Sequence, residues 1–199
     1  MYLYKVIEVH PFENFVPDKA THLILGTFPT HGRNWLFNGY YPGRSNFFWR
    51  MMSEIYKHPF QHRKGEEAAA ERLALLASKG IALSDTIYKV RRKVATSSKD
   101  TDLEVLEKMD MLGILRTHKS ISTVLLGGKS GPVSAHHLFF EHLRENGIPY
   151  TLSDSKPVVV GEFKLDNRKI QTYTVYSPSG INIGRYAQTV QQYAAHLPK

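Results

Sequence analysis

Four short segments of the 199-residue chain carry glycine or serine beside hydroxyl, carboxylate or cationic side chains, at or just after an apolar run: GTFPTHG (26–32), LSDTIY (83–88), LGGKSG (126–131) and SPSGIN (177–182). Small residues let a backbone approach a ligand closely, and backbone N–H groups beside Lys129 and Ser130 or around Ser177 and Ser179 suit phosphate oxygens. Asp85 adds a carboxylate, which only accepts hydrogen bonds. The chain has ten histidines and no cysteine, which excludes disulfides, thiolate zinc sites and iron–sulfur clusters. His58 and His62 stand four apart but flank Pro59, and His136–His137 read as surface or structural, so no metal and no cofactor is expected.

Charge adds a weaker signal. Lys plus Arg number 26 against 18 acids, a net +8 that attracts polyanions, nucleic acid first. Lys89, Arg91, Arg92, Lys93 and Lys99 crowd KVRRKVATSSK, which reads either as a polyanion contact or as a solvated loop.

The elements that must position these groups alternate in type. THLILG (21–26), IALSD (81–85), STVLLGG (122–128) and IPYTLS (148–153) are β-rich runs. Apolar residues at helical spacing mark 45–58, with Ser45 or Asn46 at its start, and helices are also expected at 65–80, 102–112, 132–146 and 185–197. VVVGEFKLDNRKIQTYTVYSP alternates around Asp166–Asn167 as a hairpin does. The expectation is one three-layer α/β/α domain spanning 1–199, with a central, mainly parallel four-stranded sheet and a C-terminal hairpin extension. In such sheets ligands bind beyond the carboxyl ends of the strands, where all four glycine- or serine-bearing segments fall. No run of about 18 apolar residues marks a membrane span, and MYLYKVIEVHPF does not read as a secretory signal. The expected location is the cytoplasm, with the nucleoid if the cell is bacterial.

GTFPTHG resembles the first motif of the uracil-DNA glycosylase superfamily, GQDPYHG, through Gly26, Pro29, His31 and Gly32. YYPGRSNFFWRMMSEIY is similar to the N-x-F-W helix start of its mismatch-specific and deoxyinosine branches, and SPSGIN resembles the second motif, NPSGLS or HPSPLS. GIALSDTIYKV and TVLLGG fall between them in family order, so the likeness runs from about residue 20 to residue 190.

That resemblance implies a metal-independent, monofunctional DNA glycosylase, a monomer that flips a deaminated base, uracil or hypoxanthine, out of duplex DNA and hydrolyses its N-glycosidic bond. Gly26, Thr27, Phe28, Tyr41 (or Tyr40) and Asp85 would then hold the base. Ile181 matches the wedge leucine, while His31, Lys129, Ser130, Ser177, Ser179, Gly180, Asn182 and Arg185 would contact DNA. Two positions depart from the pattern. Relatives usually carry Asp or Asn at the third position of the first motif, where this chain has Phe28, and His or Asn where it has Ser177. The deoxyinosine branch also lacks the first of these and relies on an asparagine that Asn46 matches, so Asn46 and Asp85 are the expected catalytic residues. An amide is a poor general base, and electrostatic preorganisation would then supply most of the rate. Two other readings stay open: a catalytically silent nucleic-acid-binding protein of this fold, and a nucleotide or nucleoside hydrolase.

Overall fold

The computed structural model describes residues 6–32, 35–94, 96–153 and 158–199; residues 1–5, part of the segment read above for a leader, lie outside them. Short β-branched runs that end in glycine or aspartate form the centre of the molecule. β1 (Ile7–Val9) is followed by β2 (His22–Gly26), α1 (Phe48–Tyr56), α2 (Gly65–Ser78), β3 (Ile81–Asp85), β4 (Ile87–Arg92) and β5 (Leu103–Lys108). Then come α3 (Met111–Thr117), β6 (Thr123–Gly127), α4 (Ala135–Glu145), β7 (Tyr150–Ser153), β8 (Val159–Leu165), β9 (Arg168–Val175) and α5 (Tyr186–His196).

The main sheet has the order β3-β2-β6-β9-β8-β7. Its first four strands are parallel, and β8 and β7 add antiparallel pairs. The fourth parallel strand is the second arm of the expected hairpin. Its turn residues Asp166 (φ 51°) and Asn167 (φ 64°) both adopt the left-handed conformation that a two-residue turn of matching twist requires. Alternation along the strands divides the core. Leu23, Leu25, Val124 and Leu126 pack against α3 and α4, including Leu112, Phe139 and Leu143. Ile24, Leu83 and Leu125 face α1, α2 and α5, including Phe48, Met51, Leu76 and Tyr193. Each side chain so buried contributes roughly 1.5–3 kcal/mol, and the outcome is the expected mainly parallel α/β/α arrangement.

Two expectations fail. The helix expected over 102–112 is strand β5 followed by a turn, and the helix begins only at Met111, where the Asp110 carboxylate accepts the Gly113 N–H at 2.8 Å. LEVLEK carries apolar residues at both spacings. Its antiparallel pairing with β4, and the burial of Leu103 against Phe28, Ile87 and Val90, decide for the strand. The basic run is also not all loop, because Lys89–Arg92 belong to β4, the centre of a second, three-stranded sheet β1-β4-β5, while Lys93 and Lys99 are exposed beyond it. Lys89 pairs with Glu107, Arg91 with Glu104, and Arg92, its side chain 1% exposed, donates Nε to Glu8 at 2.7 Å. Three of the five cations thus neutralise acids within their own sheet rather than forming a polyanion track. Among the described residues no helix is long and apolar enough to cross a membrane.

Candidate active site

The parallel register aligns the strand ends. Gly26 stands opposite Asp85, and Gly127 opposite Val175. On the α1/α5 side, polar side-chain atoms pack directly over these two glycines. A Cβ on Gly26 would collide with Asp85 Oδ1 and come within 3.3 Å of the Tyr41 hydroxyl, and one on Gly127 would lie 3.3 Å from the Tyr193 hydroxyl. Both hydroxyls are buried without a hydrogen-bond partner among the described residues. Burial first, then the nearby Tyr193, Asp85 and Tyr40, raises the Tyr41 pKa well above 10, which keeps its hydroxyl neutral. The Tyr41 ring stacks on Phe48 with centroids 4.0 Å apart, so one of its faces is already covered.

Asp85 is itself held from outside the sheet. The segment after β1 bridges to the free edge of β3 through Phe15 and Leu83, and it delivers His10 to the strand end. His10 Nε2 lies 2.9 Å from Asp85 Oδ2, and the histidine side chain is 0% exposed. His10 Nδ1 lies 2.8 Å from the Phe12 carbonyl and 3.3 Å from the Phe12 N–H, the shorter contact being the one an imidazolium makes by donating from both nitrogens. Burial opposes that charge, but the hydrogen bond and charge of Asp85, with the Phe12 carbonyl, outweigh it and raise the His10 pKa above 6.5. Phe12, Phe28 and Tyr40 surround the ring, each with its centroid 5.7 Å away.

This arrangement accounts for Phe28. Its ring is buried in the small core of the second sheet with Ile87, Val90, Leu103 and Leu138, edge-on to His10. Phe28 thus packs edge-on against the histidine that holds Asp85, and it also lines the cavity beside His31. The rest of the first motif is fixed by its surroundings. Thr86 and Ile87 donate backbone N–H groups to the Gly26 and Thr27 carbonyls at 3.0 and 3.2 Å, and Trp35 donates its indole N–H to the Thr30 carbonyl at 2.9 Å. The half-buried His31 lines a separate cavity of about 420 Å³ with Val9, Pro11, Phe28, Pro29 and Trp35.

The half-buried Thr27 hydroxyl donates to Asp100 Oδ2 at 3.2 Å. Asp100 opens the 3₁₀ turn Asp100–Asp102 and is an exposed residue. Partial desolvation, opposed by the Thr27 hydroxyl, reinforced by the charge of Asp85 and opposed again by Arg92, raises its carboxyl above the usual carboxylate range, toward about 6.

Asn46 stands where the sequence puts it, at the start of α1, and its Oδ1 accepts the Phe48 N–H at 2.8 Å. Its amide nitrogen bonds to none of the described residues. The SPSGIN loop is locked to the same helix start. Phe47 N–H donates to the Pro178 carbonyl at 3.0 Å, and a Cβ on Gly180 would lie 2.6 Å from the Ser45 carbonyl oxygen. Asn182 closes the loop by donating its side-chain N–H to the Ser177 carbonyl at 3.0 Å and its backbone N–H to the Ser179 carbonyl at 2.8 Å. Ile181 is left 90% exposed on the 3₁₀ turn Gly180–Arg185, and the Arg185 guanidinium lies 5.0 Å from the Tyr176 ring centroid. Lys129 and Ser130 are exposed on the loop after β6.

Gly26, Thr27, Tyr41 and Asp85 are thus brought together, with Asn46, Ser177, Ser179 and Ile181 on one braced rim at the same end of the sheet. His10, Tyr193 and Asp100 complete the picture and carry no motif in the sequence; His10 is 75 residues from its partner. Among the described residues no three His, Cys, Asp or Glu side chains come together as metal ligands would.

No protein-family model matches the chain, and no curated protein matches it. A solved structure does. It is the solution NMR structure of a protein from Methanosarcina acetivorans described as a "putative Uracil DNA glycosylase", with a TM-score of 0.61 and 18% sequence identity, covering 96% of this chain and 100% of that one. The chain shares the fold of that protein.

Proposed function

We propose that the protein is a monofunctional DNA glycosylase of the uracil-DNA glycosylase superfamily, acting on a deaminated base, uracil or hypoxanthine, flipped from duplex DNA. One observation carries this reading. Ile181 is 90% exposed on a turn braced against Ser45 and Phe47, at the sheet end that holds Gly26 and Asp85. A rigidly mounted apolar side chain in water costs solvation free energy unless something covers it, and a base-pair step opened by the flipped nucleotide would do so. The fold shared with the Methanosarcina protein adds support.

In this reading Asp85 Oδ1 accepts the ring N–H that uracil and hypoxanthine have in common, and Tyr41 offers the free face of its ring. Thr27 and the Gly26 backbone border the base. Asn46, through its amide nitrogen, orients water or a base carbonyl. Ser177, Ser179, Gly180, Asn182 and Arg185, with Lys129, Ser130 and His31, hold the DNA backbone. The bond breaks with positive charge building on the sugar and negative charge on the base, and fixed donors and carboxylates lower that barrier without reorganising. In this reading the reaction ends at an intact abasic site, without a lyase step.

Labelled duplexes carrying uracil, hypoxanthine or xanthine, incubated with the protein and then treated with alkali, test this directly. Strand breaks at uracil or hypoxanthine are expected, and Asn46→Ala and Asp85→Ala should each lower the rate at least tenfold, about 1.4 kcal/mol of barrier. Salt-sensitive binding of every duplex without cleavage would sink the enzyme and leave a binding protein.

A further inference from the structure

The hydrolysis just proposed needs a group that can take a proton from water, and neither named residue suits that task. The Asn46 amide cannot accept one, and Asp85 Oδ2 is committed to His10. Position 28, where the motif that GTFPTHG resembles usually carries the polar residue, is occupied by a ring turned into the second core.

Another loop brings a carboxylate to the same place. Asp100 Oδ2 is tethered by the hydroxyl of Thr27, the residue immediately before Phe28 and immediately after the strand end at Gly26. Its turn is well anchored. Asp102 N–H donates to the Lys99 carbonyl at 3.0 Å, Lys93 N–H to the Asp102 carbonyl at 2.8 Å, and the Asp102 carboxylate is bonded by the Ser97 hydroxyl. Asp102 is thus used within the loop. Asp100 is the acid of that turn that reaches the first motif, and it does so with one oxygen, leaving Oδ1 unbonded among the described residues. The charged groups that act on it are Asp85 and Arg92. Arg92 is itself fixed by Glu8 and by the Ser97 carbonyl, so it neutralises Asp100 only in part.

We infer that Asp100 is the catalytic base of this site, supplied by the loop after β4 in place of the side chain that position 28 lacks; the inference rests on the glycosylase reading. As the C1′–N bond breaks, its electron pair leaves with the base. The water oxygen bonds to C1′, one water proton passes to the Asp100 carboxylate, and that proton then goes to the departed base or to solvent. The net change is addition of one water, giving the abasic sugar and the free base. The carboxyl must be deprotonated at the start, and with its titration at about 6 it is so at neutral pH while remaining basic enough to work.

Single-turnover cleavage by wild type, Asp100→Asn, Asp100→Glu and, as a surface control, Glu107→Gln decides the matter, with binding to an uncleavable abasic-site duplex measured alongside. Expected are a loss of at least 100-fold for Asp100→Asn, partial recovery with Asp100→Glu, no change for Glu107→Gln, and duplex binding within threefold throughout. The wild-type rate should fall tenfold per pH unit well below pH 6, and Asp100→Asn should lack that limb. Asp100→Asn cleaving within threefold of wild type, or losing duplex binding in proportion to rate, overturns the assignment while the glycosylase reading stands. If wild type cleaves no duplex, that reading falls, and this one with it.

Discussion

His10 offers the sharpest test of how the site is built, because its role is independent of any substrate. Removing it by His10→Ala leaves the Asp85 carboxylate in a position where only 8% of its side chain meets water, with Oδ2 stripped of its partner. Breaking a buried ion pair from one side costs about 3–5 kcal/mol. For a chain of this length each kcal/mol moves the melting temperature by about 2–4 °C, so a fall on the order of 10 °C is expected. Burial, the Asp85 bond and charge, and the Phe12 carbonyl leave the folded-state pKa of His10 above 6.5. A group that binds its proton more tightly when folded contributes its full stability below its unfolded pKa and loses it as pH rises through the folded value. Urea unfolding of wild type from pH 5 to pH 9 should therefore show stability declining through the raised His10 pKa, a limb absent from His10→Ala and from His10→Gln. His10→Gln keeps a neutral donor for Asp85 and should lose less. With Asp85→Asn added, His10→Ala should cost at least about 1.5 kcal/mol less than it does alone, since no buried carboxylate remains. A His10→Ala variant within about 1 kcal/mol of wild type, with a parallel pH profile, would refute the pairing as the reason Asp85 is fixed.

Other consequences can be checked alongside. Gly26→Ala would drive a methyl into Asp85 Oδ1 and should destabilise by about 1–3 kcal/mol in thermal melts while abolishing cleavage. Ile181→Gln should leave the melting temperature unchanged, since the side chain is already in water, but should lower cleavage of duplex more than of single-stranded substrate, by about tenfold. Asn46→Ala removes the acceptor for the Phe48 N–H and should cost about 1 kcal/mol. Asn46→Asp keeps that acceptor, so it should recover stability but not rate, which separates the helix-capping oxygen from the free amide nitrogen. Arg92→Met should destabilise more than Arg91→Met in urea titrations, because only the Arg92 guanidinium is buried on its carboxylate.

The parts of the fold legible in the sequence are those set by local pattern. THLILG, IALSD and STVLLGG are short apolar runs that no helix period fits, and each ends where a small or acidic residue meets the strand's carboxyl end. Asp166–Asn167 marks a turn by its own left-handed preference. What stayed hidden depends on pairing at a distance. LEVLEK fits both periods, and only the neighbouring β4 selects the strand. Arg91 and Arg92 look like free charge until Glu104 and Glu8 are folded against them. His10 and Asp100 lie in stretches with no periodicity or motif, and nothing local to either announces the carboxylate or the hydroxyl it meets.

Position 28 shows why a motif comparison and a geometric one give different answers. By residue type, Phe28 is a loss: an apolar ring where the motif that GTFPTHG resembles usually carries a polar side chain. By geometry it is an exchange. The strand end at Gly26 has two sides, and Phe28 takes the side of the second sheet, where its ring edge supports the His10 that holds Asp85. Turning that ring inward leaves the Thr27 hydroxyl as the polar group that meets the cleft, and a hydroxyl can tether a carboxylate from another loop. Polar chemistry at this end of the sheet is therefore distributed over three chain segments that the first motif does not contain: the strand-edge segment bearing His10, the end of β3 bearing Asp85, and the turn bearing Asp100. Such a site places no demand on the side chain at position 28 except that it pack. Phe28→Asp, which would restore the motif by type, should weaken the small core around Ile87, Val90 and Leu103 by removing its ring, and its carboxylate would compete with Asp85 and Glu8 for His10 and Arg92, whose ring and guanidinium lie 5.7 and 5.9 Å from the Phe28 ring centroid.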